Sequence, residues 1–411
     1  MRVLQVNKYL YVKGGAEAVM FETARQLEQR DHAVTFYGMR SPRNEASGDP
    51  ADWVEWIDYR APMSHWRRAR LALASIHSVE AARRLRRLLG RAPQNVAHLH
   101  NFHYQLTPSI LPPLRDHGAA IVWTLHDYQP ICPNHALFNF RTGRICEACR
   151  GGHFFAAARE RCLKGSVVQG LVGGIEAHKN RLLGVHERLI DRFTAPSRFM
   201  QQKVVDFGLP ADRVVHLPYP QDLEGFRPAG TKGSYFLYFG RLDGEKGVMT
   251  LLRAMREHPR LELRIAGVGA IEDDCRRYVE RHDMQNVRFL GFVRDDLREL
   301  IAGALCTLVT SEWYENYPMV VLESHASGTA VLGAEIGGIP EMIEAGVDGL
   351  LYPSGDAGAL ATRIGELAAR GPDALRHMGL AGRDKVARIN DPALYTERLL
   401  AIYEQAIASL P

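Results

Sequence analysis

Hydrophobic and polar positions along this chain alternate between strand-like and helix-like spacing. Residues 3–6 form a short apolar strand, and from Ala16 onward Val19, Met20, Thr23, Ala24 and Leu27 recur at helical intervals. Residues 33–37 read as a second strand, which makes the opening a βαβ unit with a parallel sheet. Residues 96–100 and 121–127 are buried-type strands that end in histidine, and 200–207 is helical. Between 217 and 230 the periodicity lapses into Pro and Gly, the composition of an interdomain linker. A second α/β series follows, with strands at 235–239, 263–266, 287–290, 305–309, 330–332 and 349–352. Asn390-Asp391-Pro392 interrupts it, and 393–410 reads as one closing helix.

With 411 residues, 46% hydrophobic and 24% charged, the chain suits two soluble globular domains. A formal charge of +4 is too slight to suggest nucleic-acid binding. The start lacks a signal-peptide core and no run of eighteen apolar residues occurs, so a cytoplasmic protein is expected. Residues 64–91 hold eight arginines (67, 68, 70, 83, 84, 86, 87 and 91) against one acid, Glu80. Two readings fit: sheet-covering helices with solvated charged faces, or a basic amphipathic surface resting on anionic lipid. Cys132, Cys146, Cys149 and Cys162, spaced C-x13-C-x2-C-x12-C, could hold a structural Zn²⁺, stay free thiols or form disulfides; the zinc staple is preferred.

Candidate chemistry collects at strand ends. Gly14-Gly15 lies between a strand and a helix, where bare backbone can approach an anion. His126, followed by Asp127, is a better candidate than His98 or His100. Arg241 and Lys246 sit in the glycine-rich loop after 235–239, suited to a diphosphate. Residues 311–328 carry Glu315 just before an expected helix start at Pro318, and Glu323 on that helix's second turn. Two carboxylates flanking a phosphate site suit the hydroxyls of a nucleotide sugar. The plain alternative is a strand and an amphipathic helix with glutamates in solvent.

Taken in order, Gly14-Gly15-Ala16-Glu17, His126-Asp127, Gly240-Arg241 with Glu245-Lys246-Gly247, Glu315 through Glu323, and Gly337-Gly338-Ile339-Pro340-Glu341 resemble one family. It is the retaining glycosyltransferases of two-Rossmann-domain (GT-B) architecture, glycosyltransferase family 4 in particular. The resemblance implies two parallel-sheet domains facing across a cleft. One spans 1–217 plus 393–411, with a Cys-rich insertion at 132–165 and the closing helix crossing back onto it; the other spans 218–392. Arg241 and Lys246 would neutralise the donor diphosphate without a catalytic metal, Glu315 would hold the donor sugar and Glu323 the ribose. Backbone at Asn316 and Tyr317 would face sugar and phosphate, and Phe292, Val293 and Arg294 the base. Gly14 and Gly15 would face the phosphate, and His126 would contact the sugar. The implied reaction moves a sugar from a nucleotide-diphosphate (UDP or GDP) donor to a glycan or polyprenyl-linked acceptor in cell-surface polysaccharide synthesis, peripherally at the inner membrane face. A nucleotide-sugar epimerase and a non-catalytic glycan- or nucleotide-binding subunit are the alternatives. The linker's Pro-Tyr-Pro-Gln-Asp and Ser324-His325 depart from the family's usual residues, so hinge and donor preference do not carry over.

Overall fold

The computed structural model describes residues 1–57 and 64–410. They divide into two compact units: Met1–Arg141, Cys146–Pro220 and Pro392–Pro411 form the first, and Thr142–Ile145 with Gln221–Asp391 the second.

Unit 1 is built on β1 (Arg2–Val6), β2 (Ala33–Tyr37), β3 (Val96–Leu99), β4 (Ala120–Thr124), β5 (Arg192–Ala195) and β6 (Val214–His216). All pair in parallel, in the order β2-β1-β3-β4-β5-β6. Strands β3 and β4 are buried along their whole length, which is why they read as unbroken apolar runs rather than alternating ones. Helix α1 (Gly15–Glu28) buries Val19, Met20, Thr23, Ala24 and Leu27, the positions its spacing marks out.

The arginine-rich stretch forms α2 (His65–Ile76) and α3 (Val79–Arg91). Ser78 caps α3 by accepting from the Ala81 amide at 3.2 Å. This helix buries Ala81, Leu85, Leu88 and Leu89, while Arg84 pairs with Glu80 and Glu55 (2.8 and 3.2 Å) and Arg91 with Asp49 and Asp52. Over α3, therefore, the sheet-covering reading holds, because its apolar face is consumed by packing and two of its arginines have acidic partners. The side chains of Arg67 and Arg68 lie outside the described residues. Farther along come α4 (Leu111–Asp116), α5 (Ala156–Arg159) and α6 (Val167–Leu182). The closing helix, Pro392–Ala408, returns to unit 1 and buries Tyr395, Leu399, Ile402, Tyr403 and Ala406 among Val3, Leu27, Val96 and Val122.

Unit 2 carries β7 (Tyr235–Phe239), β8 (Glu262–Ala266), β9 (Val287–Gly291), β10 (Cys306–Val309), β11 (Ala330–Ala334) and β12 (Gly349–Tyr352), parallel in the order β9-β8-β7-β10-β11-β12. Its core joins Phe236, Leu263, Ile265, Leu308 and Leu332 to Leu251 and Leu252 on one side chain layer and Leu360, Ile364 and Leu367 of the Ala357–Ile389 helix.

Each sheet has a point where the strand order reverses, between β1 and β3 in unit 1 and between β7 and β10 in unit 2. Loops leaving the carboxyl ends of such neighbours diverge and open a crevice, the usual ligand position in open α/β sheets. Among the described residues no helix is long and apolar enough to cross a membrane.

Candidate active site

In unit 2 the two loops at the reversal point are the ones that carry the predicted residues. The loop after β7 holds Arg241 and then a short turn, Gly244–Lys246; the loop after β10 holds residues 311–318. They are stitched together along their backbones. The Glu312 amide donates to the Glu245 carbonyl (2.8 Å), and Thr310 Oγ1 donates to the Lys246 carbonyl (2.8 Å). Gly247 makes the junction possible. Its φ is +67°, and a Cβ there would stand 1.8 Å from the Thr310 carbonyl oxygen, so no other residue fits unshifted.

That stitching sets Lys246 Nζ 2.6 Å from Glu315 Oε1, and Ser311 Oγ donates to the same oxygen at 2.6 Å. Burial by itself would raise the Glu315 pKa; the charge of Lys246 and the hydrogen bonds from Lys246 and Ser311 outweigh it and hold the carboxyl below its usual value. Glu315 is therefore an ionised acceptor, and the Trp313 side chain further favours that form. Its backbone is fixed from behind by the Gly337-Gly338 pair. The Gly338 amide donates to the Glu315 carbonyl (2.8 Å), and a Cβ on Gly337, at φ +60°, would sit 2.4 Å from that oxygen. This is the physical work of the Gly-Gly-Ile-Pro-Glu segment.

Arg241 stands exposed at the mouth of the same loop, paired with Asp243 and, at 3.2 Å, with Glu245. Glu323 lies on the second turn of the Met319–Ala326 helix. Pro318 is the residue before that helix rather than its first member, a shift of one position. Burial pushes the Glu323 carboxyl up to about 7, with only Arg298 opposing. Tyr317 is turned inward, its hydroxyl accepting from Asn390 Nδ2 at 3.0 Å. Asn316 lies between Glu315 and Tyr317, half-buried. Phe292 and Arg294 are exposed just past the end of β9, while Val293 packs against the core that includes Tyr235, Leu237 and Ile301. Val320, from the helix that carries Glu323, packs against the same core.

The remaining predicted residues belong to unit 1. Gly14 and Gly15 begin α1 exposed, with Gly14 extended at φ −169° and no side chain capping the helix. Any residue could adopt that backbone; what glycine supplies is unobstructed access to the first amides. His126 follows β4 and is held on both ring nitrogens, by Tyr219 OH at Nδ1 (2.8 Å) and His100 Nδ1 at Nε2 (2.8 Å). The chain continues from His100 Nε2 to Gln5 Oε1 at 2.8 Å. The Tyr219 hydroxyl donates to the Leu125 carbonyl at 3.3 Å, which ties this row of side chains to the residue after β4. Burial lowers the His126 pKa to about 4, and the ring is neutral at pH 7. Nothing in the sequence marked Gln5, His100 and Tyr219 as one unit.

The four cysteines of the insertion do approach one another. Burial first, and then Cys132, Cys162 and Cys146, raise the Cys149 thiol; burial and its neighbours push Cys162 up to about 12. Cys132 Sγ donates to Asn134 Oδ1 at 2.9 Å. Among the described residues, however, no group of three or more His, Cys, Asp or Glu side chains is arranged to hold a metal ion. The thiol arrangement is thus not itself a tetrahedral cradle.

Two family models match the chain: one described as Glycosyltransferase Family 4 over residues 13–224, the other as Glycosyl transferases group 1 over residues 224–385. The amylovoran biosynthesis glycosyltransferase AmsK of Erwinia amylovora is 30% identical over 230 residues, 52% of this chain and 55% of that one. The putative colanic acid biosynthesis glycosyltransferase WcaL of Salmonella typhimurium is 30% identical over 159 residues, 36% of this chain and 39% of its own. The match to these relatives thus spans only about two fifths to a little over half of their length. Solved structures resemble the chain throughout. HepE of Anabaena in complex with UDP superposes with a TM-score of 0.67 at 16% identity, covering 98% of this chain and 100% of that one. Sucrose-phosphate synthase of Thermosynechococcus elongatus gives 0.73 at 18%, covering 99% of both. Two parallel Rossmann-like sheets and these likenesses establish the two-domain GT-B fold.

Proposed function

The chain belongs to Glycosyltransferase Family 4, and from that premise we propose that it transfers a hexosyl group from a nucleotide-diphosphate sugar, UDP- or GDP-linked, to a glycan or polyprenyl-linked acceptor in cell-surface polysaccharide synthesis, with retention of anomeric configuration. The observation that carries this reading is the 2.6 Å Lys246–Glu315 pair at the sheet's reversal point, next to Arg241. A diphosphate entering there meets two cations, while the sugar meets a carboxylate already ionised. AmsK is named for amylovoran biosynthesis and the putative WcaL for colanic acid biosynthesis, and HepE has been crystallised with UDP-glucose, which supports the same donor class and setting.

In the reaction the bond from the anomeric carbon to the phosphate oxygen breaks as the acceptor oxygen adds from the same face. The acceptor proton passes to the departing phosphate. Lys246 and Arg241 stabilise the charge that develops on the diphosphate. Glu315 fixes the sugar hydroxyls, Glu323 those of the ribose, and the Phe292–Val293–Arg294 segment the base. His126 is neutral with both ring nitrogens engaged, so it supplies no proton to the reaction. No catalytic metal is required by this scheme, so EDTA leaves the rate unchanged. Peripheral contact with the inner membrane face would bring a lipid-linked acceptor within reach. The zinc staple is a separate proposal that rests on the C-x13-C-x2-C-x12-C spacing and not on the arrangement the thiols have here; metal analysis of purified protein finding no stoichiometric zinc rejects it.

A panel of UDP- and GDP-sugars screened by thermal shift tests the donor assignment. The matching donor at a hundred times its Kd adds about 2.7 kcal/mol of stability. Acceptor-dependent release of nucleoside diphosphate then separates transfer from epimerisation. A chain that no nucleotide sugar stabilises does not perform this reaction.

A further inference from the structure

Helix α6 is built inside out. Its buried positions include Gly170, Gly173 and Gly174, and a Cβ on Gly170 would lie 2.5 Å from the Ala158 Cα of α5. The glycines let α6 lie directly on α5. Its bulky apolar residues point the other way. Val168 (69% exposed), Leu171, Ile175 and Leu182 (73%) fall in a sector about 60° wide at 3.6 residues per turn, a stripe about 21 Å long. Helix α2 packs against α6, and Lys179 Nζ donates to the Ile76 carbonyl at 2.8 Å. It shows a second stripe of the same kind, with Trp66 (88%), Arg70 and Leu73 (70%) exposed at positions i, i+4 and i+7. Single exposed apolar residues are ordinary, but aligned stripes on two adjacent helices mark a contact surface.

The charges around it select the partner. Residues 64–77 contain arginine and histidine and no acid. Residues 161–183 contain Arg161, Lys164, Lys179 and Arg181 against one acid, Glu176, which is turned inward beside His103 and accepts from Asn180 Nδ2 at 3.1 Å. A second copy of this face would bring like charges together. An acidic, laterally extended apolar boundary would not. We propose that α6 together with α2, rather than the arginine face of α3, is an in-plane docking surface for an anionic lipid bilayer. The apolar stripes enter the acyl boundary, Trp66 sits at headgroup level, and the cations meet lipid phosphates. This surface is independent of the transfer chemistry, and its test does not need the sugar reaction.

The full chain is floated with phosphatidylcholine vesicles, with and without phosphatidylglycerol. The wild type partitions onto the anionic vesicles, less so as salt rises, and shows a blue shift of tryptophan emission that Trp66→Phe removes. The triple substitution Val168→Ser, Leu171→Ser, Ile175→Ser lowers the bound fraction about tenfold while melting temperature and circular dichroism stay at wild-type values. Arg70→Glu weakens binding to the anionic vesicles only. Three outcomes overturn the proposal: no flotation of the wild type with anionic vesicles, flotation of the triple variant equal to wild type, or concentration-dependent self-association in sedimentation velocity that the triple variant abolishes.

Discussion

Lys246 is the side chain on which the chemistry turns, because it already neutralises Glu315 and has donors left for a second anion. Lys246→Ala removes one donor to the leaving diphosphate and raises the barrier by about 2–4 kcal/mol, read as a fall in kcat with the folded structure retained. Glu323 gives the opposite kind of handle. Its carboxyl is raised to about 7 in the fold, so the stability tied to its protonated form is complete below about pH 4.5 and is lost as pH rises through 7. Glu323→Gln is therefore more stable than wild type at pH 8 by about 1–3 kcal/mol, and the difference closes by pH 4.5; denaturant titrations at both values measure it. The same substitution removes the ionised acceptor for ribose, so donor affinity, which in the wild type improves between pH 6 and 8, becomes flat. These roles were partly legible in the chain. Glu315, Lys246 and Arg241 stand in local motifs at strand ends, where spacing alone suggests an anion site. Gln5, His100 and Tyr219 were not, since what joins them to His126 is a run of hydrogen bonds between residues 26, 93 and 95 positions apart. Tertiary pairing of that kind leaves no periodic trace.

At the level of elements, the site is precise because two loops share backbone hydrogen bonds and one glycine. Gly247→Ala forces a Cβ into the Thr310 carbonyl at a positive φ, and costs about 2–4 kcal/mol of stability together with most donor binding. Equal stability of variant and wild type in guanidinium unfolding contradicts this account of the junction. Helices show where pattern reading succeeds and where it fails. Apart from Val79 at the start of α3, the large aliphatic positions of α1 and α3 are the buried ones, as periodicity requires. In α6 the same rule points to the wrong face, because glycines admit the close neighbour α5 and the large residues are left outside. Hydrophobic spacing identifies a stripe; it does not say whether protein or something else covers it.

Across the whole molecule, neutral buried histidines are concentrated in one unit. His98, His126 and His186 are lowered by burial to about 3, 4 and 4, and His100 and His103 lie well below 6.5. All belong to unit 1, whereas in unit 2 the group shifted this way is His325, lowered to about 4. As pH drops below 6.5 the unfolded chain takes up protons that these folded rings refuse. Each such ring then withdraws about 1–2 kcal/mol by pH 5. Acid thus opens unit 1 before unit 2, and hydrogen exchange at pH 5 shows β3 and β4 losing protection while β7 and β10 keep theirs. Simultaneous loss in both sheets runs against this distribution.

The closing helix has a bearing on how the polypeptide is made. Residues 392–408 supply Tyr395, Leu399, Ile402 and Tyr403 to a core whose other members include Val3, Leu27 and Val96. On the ribosome the first-synthesised sheet emerges early, yet it must wait for the latest-made of these segments before its apolar layer is sealed. The span from Gln221 to Asp391 has nearly all it needs sooner. Vectorial synthesis would ordinarily finish the amino-terminal half first. Here the order of completion is reversed, and a nascent chain stalled at residue 391 carries a finished second half and an unsealed first one.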